Sequence, residues 1–140
     1  MTIRKFQFRL SARYESPENT VTSFLIEHQL KNEWQLYDST NYNAGFLILL
    51  YAILNCQHMY FRVNTAEQGL QLKSAQGTLE VEANNEWEMQ KLRIHMEGHL
   101  IGGTPGPESE AYIIERMTHC PVSVNLKAVP DMRTTIAFKH

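Results

Sequence analysis

The N-terminal third of the chain alternates apolar and polar residues. In the stretch "FQFRLSARY", beginning at Phe6, every second residue is apolar, and a period of two is typical of a strand with one buried face. "ESPEN" then predicts a turn. Two more strands, "TVTSFLIEH" and "EWQLY", follow and are joined by the short connection "QLKN". This part of the chain is therefore predicted to form a three-stranded meander.

A long apolar stretch follows, and in it the alternation of apolar and polar residues ends. "AGFLILLYAILNCQHMYFRVNTAEQG" contains good helix formers and no internal proline, and Gly69 suits the residue that follows a helix end. We predict one central helix from about Asn43 to Ala66. Because Phe46 to Leu54 is apolar on every side, this helix must be covered all round. A second copy in a C2 dimer would supply the cover; the alternative is a helix enclosed within one subunit by the sheet and the later helices.

Two long strands are predicted after the central helix. "GLQLKSAQGTLEVEA" and "EWEMQKLRIHMEGHL" both alternate in polarity, and they meet at Asn84-Asn85. Asparagine tolerates the positive φ of a tight turn, so a hairpin is predicted there. The following "IGGTPGPES" is rich in glycine and proline and is predicted to be a loop.

The C-terminal part predicts two helices and a last strand. Glu108 and Glu110 suit the positive first turn of a helix that runs to about His119. A second helix is predicted to begin at Pro121, and the strand "RTTIAF" follows Pro130. The order is βββ, α, ββ, αα, β, which is an α+β fold in a single domain over residues 1–140.

Composition limits the function. The 140 residues are 43% apolar, enough for a real core. Thirteen basic and fifteen acidic residues give a net charge of −2, and no Lys/Arg cluster marks a site for nucleic acid or an anionic membrane. The apolar run from Ala44 to Leu54 is about half the length needed to cross a bilayer, and the N-terminus lacks a signal-peptide pattern. We expect a cytoplasmic protein that binds neither nucleic acid nor membrane.

The two cysteines stand in different settings. Cys56 and Cys120 are 64 positions apart, which is neither a disulfide-dense framework nor a CxxC pair. Cys120 precedes Pro121, at the predicted start of a helix, where free N–H groups and the helix dipole lower a thiol pKa. Cys56 lies late in the central helix and would need a cation from elsewhere. Taken singly, each cysteine also fits a small core residue.

Histidines near the thiols offer an alternative use for them. His58 and His119 flank the two cysteines, and the four side chains together match the ligand types of a tetrahedral zinc site. A Cys-x-His spacing on a helix, however, points its side chains about 200° apart. His95 and His99 share one strand face without a third ligand, so they are interpreted as exposed strand residues. No metal is expected.

Two segments taken together resemble the OsmC/Ohr family: "FLILLYAILNCQHMYF", and "HCPVSVNL" 64 residues after its cysteine. The resemblance implies a β3-α-β2-α2-β subunit, intertwined as a homodimer with two active sites at the interface. It also implies a thiol peroxidase that detoxifies organic hydroperoxides under oxidative or osmotic stress and needs no cofactor. Cys56 takes the peroxidatic position and forms a sulfenic acid, Cys120 resolves it to a disulfide, and external thiols reduce the disulfide.

Some positions differ from the family pattern. Typical catalytic members begin the central helix with a Pro-Glu pair, and the glutamate orients an arginine that supports the thiolate; here Gly45 and Phe46 occupy those positions. Arg13, beside "YESPENT", is the arginine that the N-terminal loop offers for this role. We therefore expect slow attack on peroxide. The alternative is a non-catalytic OsmC-like protein that binds a hydrophobic small molecule at the dimer interface. The aromatic residues interpreted as core or as pocket lining are Phe6, Phe8, Phe24, Trp34 and Trp87.

Overall fold

One six-stranded sheet forms the base of the fold in the computed structural model, which describes residues 3–37 and 44–140. The strands are β1 (Arg4–Glu15), β2 (Thr20–Leu30), β3 (Glu33–Leu36), β4 (Gln71–Ala83), β5 (Met89–Gly102) and β6 (Asp131–Lys139). Their order across the sheet is β3-β2-β1-β4-β5-β6. Neighbouring strands are antiparallel, except that β6 runs parallel to β5. The predicted strand pattern and α+β class are confirmed.

Two α-helices lie on the sheet. α1 spans Ala44–Glu67 and α2 spans Pro107–Met117. α1 ends one residue beyond the predicted Ala66, and its predicted start at Asn43 lies outside the described residues. α2 begins with the predicted acidic first turn and stops two residues before His119.

The segment after Cys120 differs from the prediction. Instead of a second α-helix in this part of the chain, Ser123–Asn125 forms one turn of 3₁₀-helix. The Asn125 side chain donates to the Pro121 carbonyl oxygen at 2.8 Å, which is the acceptor that the Asn125 backbone would use in an α-helix. The Asn125 N–H bonds to the Val122 carbonyl oxygen instead. Side-chain competition for a backbone acceptor therefore accounts for the shortened helix.

The β4–β5 turn is longer than predicted. Asn84 Oδ1 accepts the N–H groups of Glu86 and Glu88, each at 3.0 Å. The positive φ predicted at Asn84-Asn85 falls on Trp87, at 66°. Because the Asn84 side chain closes the turn from its first residue, β5 begins only at Met89.

The core lies between the sheet and the helices. β1 buries Phe8, Leu10, Ala12 and Tyr14 on one face, as the alternation predicts, and exposes the residues between them. α1 packs on this face, and α2 covers its side with Ile113 and Met117. The buried residues of α1 include Leu50, Ile53, Leu54 and Phe61. This packing places the later half of α1 against the end of α2.

One face of α1 is left exposed by residues 3–37 and 44–140 of the subunit. Ile48, Leu49, Met59 and Val63 are 37–48% exposed, so enclosure of the helix inside one subunit, one of the two alternatives, does not hold. By length and composition α1 is also apolar enough to cross a bilayer. Its opposite face is packed against the sheet, as in the core helix of a globular fold.

Candidate active site

Cys56 and Cys120 are joined by a disulfide, and their Cα atoms are 6.2 Å apart. Cys56 comes from the later half of α1, and Cys120 comes three residues after the end of α2. This distance lies within bonding reach, about 7 Å between Cα atoms, and agrees with the Cys56–Cys120 disulfide that the family resemblance implies. Cys56 is half-buried, whereas Cys120 is completely buried.

The backbone around Cys120 is held by the end of α2. The Thr118 hydroxyl donates to the Glu115 carbonyl oxygen at 2.6 Å, and the Cys120 N–H donates to the Met117 carbonyl oxygen at 3.3 Å. Because only one 3₁₀ turn follows Cys120, the helix dipole predicted to lower its thiol pKa is not present. This part of the sequence-based argument is wrong.

Gln57 is a residue of the site that the sequence did not reveal. Its side chain is 1% exposed. The Nε2 group donates to the Met117 carbonyl oxygen at 2.8 Å and to the Ser123 hydroxyl at 2.7 Å. α1 is therefore hydrogen-bonded to the chain on both sides of Cys120.

An open, largely apolar groove of about 560 Å³ lies beside Cys56. It is lined by Val21, Phe24, Ala52, Asn55, Cys56, His58, Met59, Arg62 and Val122. Phe24 is 37% exposed and belongs to this lining, the second of its two predicted roles. Through this groove an apolar molecule can reach the Cys56 sulfur, whereas the Cys120 sulfur is shielded.

Arg62 brings a positive charge to the groove. Within residues 3–37 and 44–140 its guanidinium forms no ion pair. Arg13, the arginine considered from the sequence, alternates with buried Ala12 and Tyr14 and so lies on the opposite face of the sheet in this subunit. Arg62 is therefore the arginine that lines the same groove as Cys56.

The position of the usual family glutamate holds an aromatic cluster. Phe46 packs against Phe6 and Trp87, with ring centroids 5.0 and 5.3 Å away. The Arg4 guanidinium lies 4.1 Å above the Trp87 ring. Phe46 precedes Cys56 by ten residues on α1, so this cluster lies almost three helical turns away from the thiol. It serves packing rather than thiol activation.

A buried polar pair borders the groove. The Tyr14 hydroxyl lies 2.6 Å from Nε2 of His58. Burial, and secondly the charge of Arg62, lower the pKa of His58 to about 4; burial raises the pKa of Tyr14 well above its usual value of 10. At neutral pH the imidazole is therefore uncharged, and the Tyr14 O–H donates to Nε2, which leaves the imidazole proton on Nδ1.

The residues considered for zinc are not brought together. His58 is bonded to Tyr14, whereas His119 is exposed and lies 3.3 Å from the Glu115 carboxylate. In the described part of the chain, no three His, Cys, Asp or Glu side chains are grouped as metal ligands. His95 lies on the outer face, 2.7 Å from the Thr135 hydroxyl.

The cysteine pair joins the central helix to the end of a second helix and lies beside an apolar groove that Arg62 also lines. These features define a thiol–disulfide site on an α+β fold. The chain belongs to the OsmC-like protein family, whose match covers residues 45–135 and includes both cysteines. The resemblance seen in the sequence is confirmed. No curated protein matches the chain at a significant level.

Solved structures share this fold. An OsmC like protein from Mycoplasma pneumoniae is 10% identical, with a TM-score of 0.54 over 82% of this chain and 87% of that one. A hypothetical protein from Aquifex aeolicus VF5 is 12% identical, with a TM-score of 0.55 over 92% and 94%. An organic hydroperoxide resistance protein OsmC from Legionella pneumophila is 14% identical, with a TM-score of 0.45 over 91% and 94%. At these identities the first two similarities concern the fold alone.

Proposed function

We propose that the protein is a thiol-dependent peroxidase that reduces organic hydroperoxides through Cys56 and Cys120. The observation that carries the proposal is the pairing of these two cysteines, 64 residues apart, at the edge of an apolar groove. Membership in the OsmC-like family supports it, because both cysteines match the positions that the family resemblance assigns to catalysis. Detoxification of hydroperoxides is the role that follows.

In the proposed catalytic cycle, the two thiols supply the two electrons that reduce one hydroperoxide to an alcohol. The Cys56 thiolate attacks the terminal peroxide oxygen, the O–O bond breaks, and the leaving alkoxide takes a proton to become an alcohol. The resulting Cys56 sulfenic acid is attacked by the Cys120 thiolate, which releases hydroxide as water and forms the disulfide. Two external thiols then reduce the disulfide. A reducing compartment such as the cytoplasm supplies such thiols.

Exposure supports Cys56 as the first nucleophile. Cys56 lines the groove, whereas Cys120 is 0% exposed. Arg62 favours the charged form of a thiol in the same groove, since an opposite charge lowers a thiol pKa. The apolar walls favour hydroperoxides with an organic tail over hydrogen peroxide.

We also propose that the protein works as a C2 homodimer. The apolar face of α1 that the subunit leaves open contains Ile48, Leu49, Met59 and Val63. A contiguous exposed apolar face typically marks an interaction surface. Met59 belongs both to this face and to the groove, so a partner copy packed there would form a further wall of the site.

An anaerobic peroxidase assay with dithiothreitol tests the catalytic proposal. Wild type should consume cumene hydroperoxide faster than hydrogen peroxide. Cys56→Ser should abolish turnover, and Cys120→Ser should accumulate a sulfenic acid at Cys56 that mass spectrometry detects. Modification of Cys120 alone would reverse the assigned roles, and a wild-type chain that peroxide leaves unmodified would refute the peroxidase proposal.

A second candidate is a non-catalytic protein that binds a hydrophobic small molecule at the same groove. The observation in its favour is the aromatic cluster of Phe46, Phe6 and Trp87, which occupies the position of the usual activating glutamate. This candidate predicts that a fluorescent apolar probe binds wild type and Cys56→Ser equally well, and that neither consumes peroxide.

A further inference from the structure

The Gln57 side chain contacts the chain on both sides of the second cysteine. Its Nε2 group bonds to Met117, three residues before Cys120, and to Ser123, three residues after it. The Met117 carbonyl oxygen also accepts the Cys120 N–H. Gln57 itself follows Cys56 on α1. One amide group therefore connects the helix turn that carries the first sulfur to the short segment that carries the second.

We propose that Gln57 is a positioning residue that keeps Cys120 within reach of Cys56 when the two sulfurs are not bonded to each other. Its role in turnover rests on the peroxidase function proposed above. In the reduced protein the disulfide no longer ties Cys120 to α1, so the position of residues 117–123 depends on noncovalent contacts. The two Gln57 hydrogen bonds are buried contacts of this kind, and water does not compete for them.

The carbonyl oxygen of the Gln57 side chain supports a positioning role for this residue rather than a purely stabilising role. Gln57 Oε1 is buried and has no hydrogen-bond partner within the described residues. A buried acceptor without a partner costs free energy, which an apolar side chain of the same size would avoid. What the glutamine provides in return is a fixed distance between α1 and the residues on both sides of Cys120.

Linkage gives the proposal a measurable form. If the Gln57 hydrogen bonds favour the arrangement in which the sulfurs meet, they raise the effective concentration of Cys120 at Cys56. By thermodynamic linkage, formation of the disulfide then stabilises these hydrogen bonds by the same free energy. A residue that merely stabilised the fold would act equally on the oxidised and reduced forms. Its loss would leave the equilibrium between dithiol and disulfide unchanged.

The experiment equilibrates Gln57→Met with reduced and oxidised glutathione and measures the fraction of Cys56–Cys120 disulfide. Methionine has a similar size and donates no hydrogen bond. We expect the effective concentration to fall roughly tenfold. Gln90→Met is the matched control, since it makes the same substitution at an exposed glutamine whose amide donates to the Glu88 carbonyl oxygen and not to α1. It should retain the wild-type equilibrium.

A second variant and a kinetic measurement complete the test. Ser123→Ala removes one of the two bonds, so a smaller fall, of about threefold, is expected even if Gln57→Met does not fold. With peroxide, Gln57→Met should form sulfenic acid at the wild-type rate and close the disulfide more slowly. An unchanged glutathione equilibrium in folded variants overturns the positioning role. Absence of peroxidase activity in wild type instead refutes the proposed function, and the glutathione equilibrium still decides the role of Gln57.

Discussion

The Tyr14 hydroxyl donates a 2.6 Å hydrogen bond to His58, and both side chains are buried beside the groove that contains Cys56. Neither residue belongs to the cysteine pair, but together they keep an uncharged polar contact next to a cationic Arg62. Because the fold keeps His58 uncharged, protonation of this imidazole is coupled to the stability of this part of the fold.

Protonation of His58 should destabilise the protein below neutral pH. Its pKa of about 4 in the fold lies below the value of about 6.5 in an unfolded chain, so the unfolded chain binds more protons between these limits. The unfolding free energy is therefore complete above pH 6.5 and decreases toward pH 4, by up to about 3 kcal/mol. Urea unfolding from pH 4 to 7 measures this loss, and His58→Gln, which keeps an acceptor for Tyr14, should reduce it. An NMR titration midpoint of His58 near 6.5 would contradict the argument.

Arg62 should promote the reactivity of reduced Cys56. A guanidinium in the same groove favours the thiolate, and a thiolate is the reactive form. Arg62→Met should slow alkylation of Cys56 by iodoacetamide at pH 7 by roughly three- to tenfold. Arg13→Met is the matched control, because it removes an arginine from the opposite face of the sheet. Equal rates in the two variants would exclude Arg62 as the activating cation.

The open face of α1 should hold the dimer together. Leu49→Glu places a charge in that face, and burial of an unpaired charge in an apolar interface is strongly unfavourable. We expect sedimentation to give twice the 16.2 kDa chain mass for wild type and the mass of one chain for Leu49→Glu at micromolar concentration. Leu36→Glu, on exposed strand β3, should remain dimeric. A monomeric wild type would refute the proposed interface.

Asn19 should be important for stability. It is fully buried with φ of 55°; its amide donates to the carbonyl oxygens of Arg62 and Leu70 and accepts the Leu72 N–H. Asn19→Ala should lower the unfolding free energy by about 2–4 kcal/mol, because three buried hydrogen bonds are lost and alanine is strained at positive φ. Asn32→Ala, at an exposed residue with φ of 64°, tests the strain alone and should cost about 1 kcal/mol in urea unfolding. If both variants lose a similar unfolding free energy, backbone strain rather than the lost hydrogen bonds would account for the effect of Asn19→Ala.

The strands and the central helix were predictable because their signals are local. Alternation in β1 and the continuous apolar run of α1 are visible in short windows, and tertiary packing did not override them. The 3₁₀ turn at Ser123–Asn125 was missed because one side chain, that of Asn125, takes an acceptor that a helix needs. At the β4–β5 turn, Asn84 similarly moved the positive φ to Trp87.

The site was predictable only in part. The cysteine pair was found through the family resemblance, since no local pattern connects residues 64 positions apart. Gln57 and Arg62 were missed because their roles depend on what packs against α1. Gln57 is an ordinary polar helix residue until the end of α2 lies over it. Arg62 gains its importance from the groove, which β2, α1 and the Cys120 segment form together.

The disulfide also changes the connectivity of the molecule. When it is closed, residues 56–120 form a covalent ring that contains β4, β5 and α2, whereas β1 to β3 and β6 lie outside it. A protease cut in the exposed connection at Gly103 and Thr104 opens this ring without releasing a fragment. The same cut in the reduced chain separates two pieces, so one nicked sample, run on a gel with and without reducing agent, reports directly whether the two sulfurs were bonded.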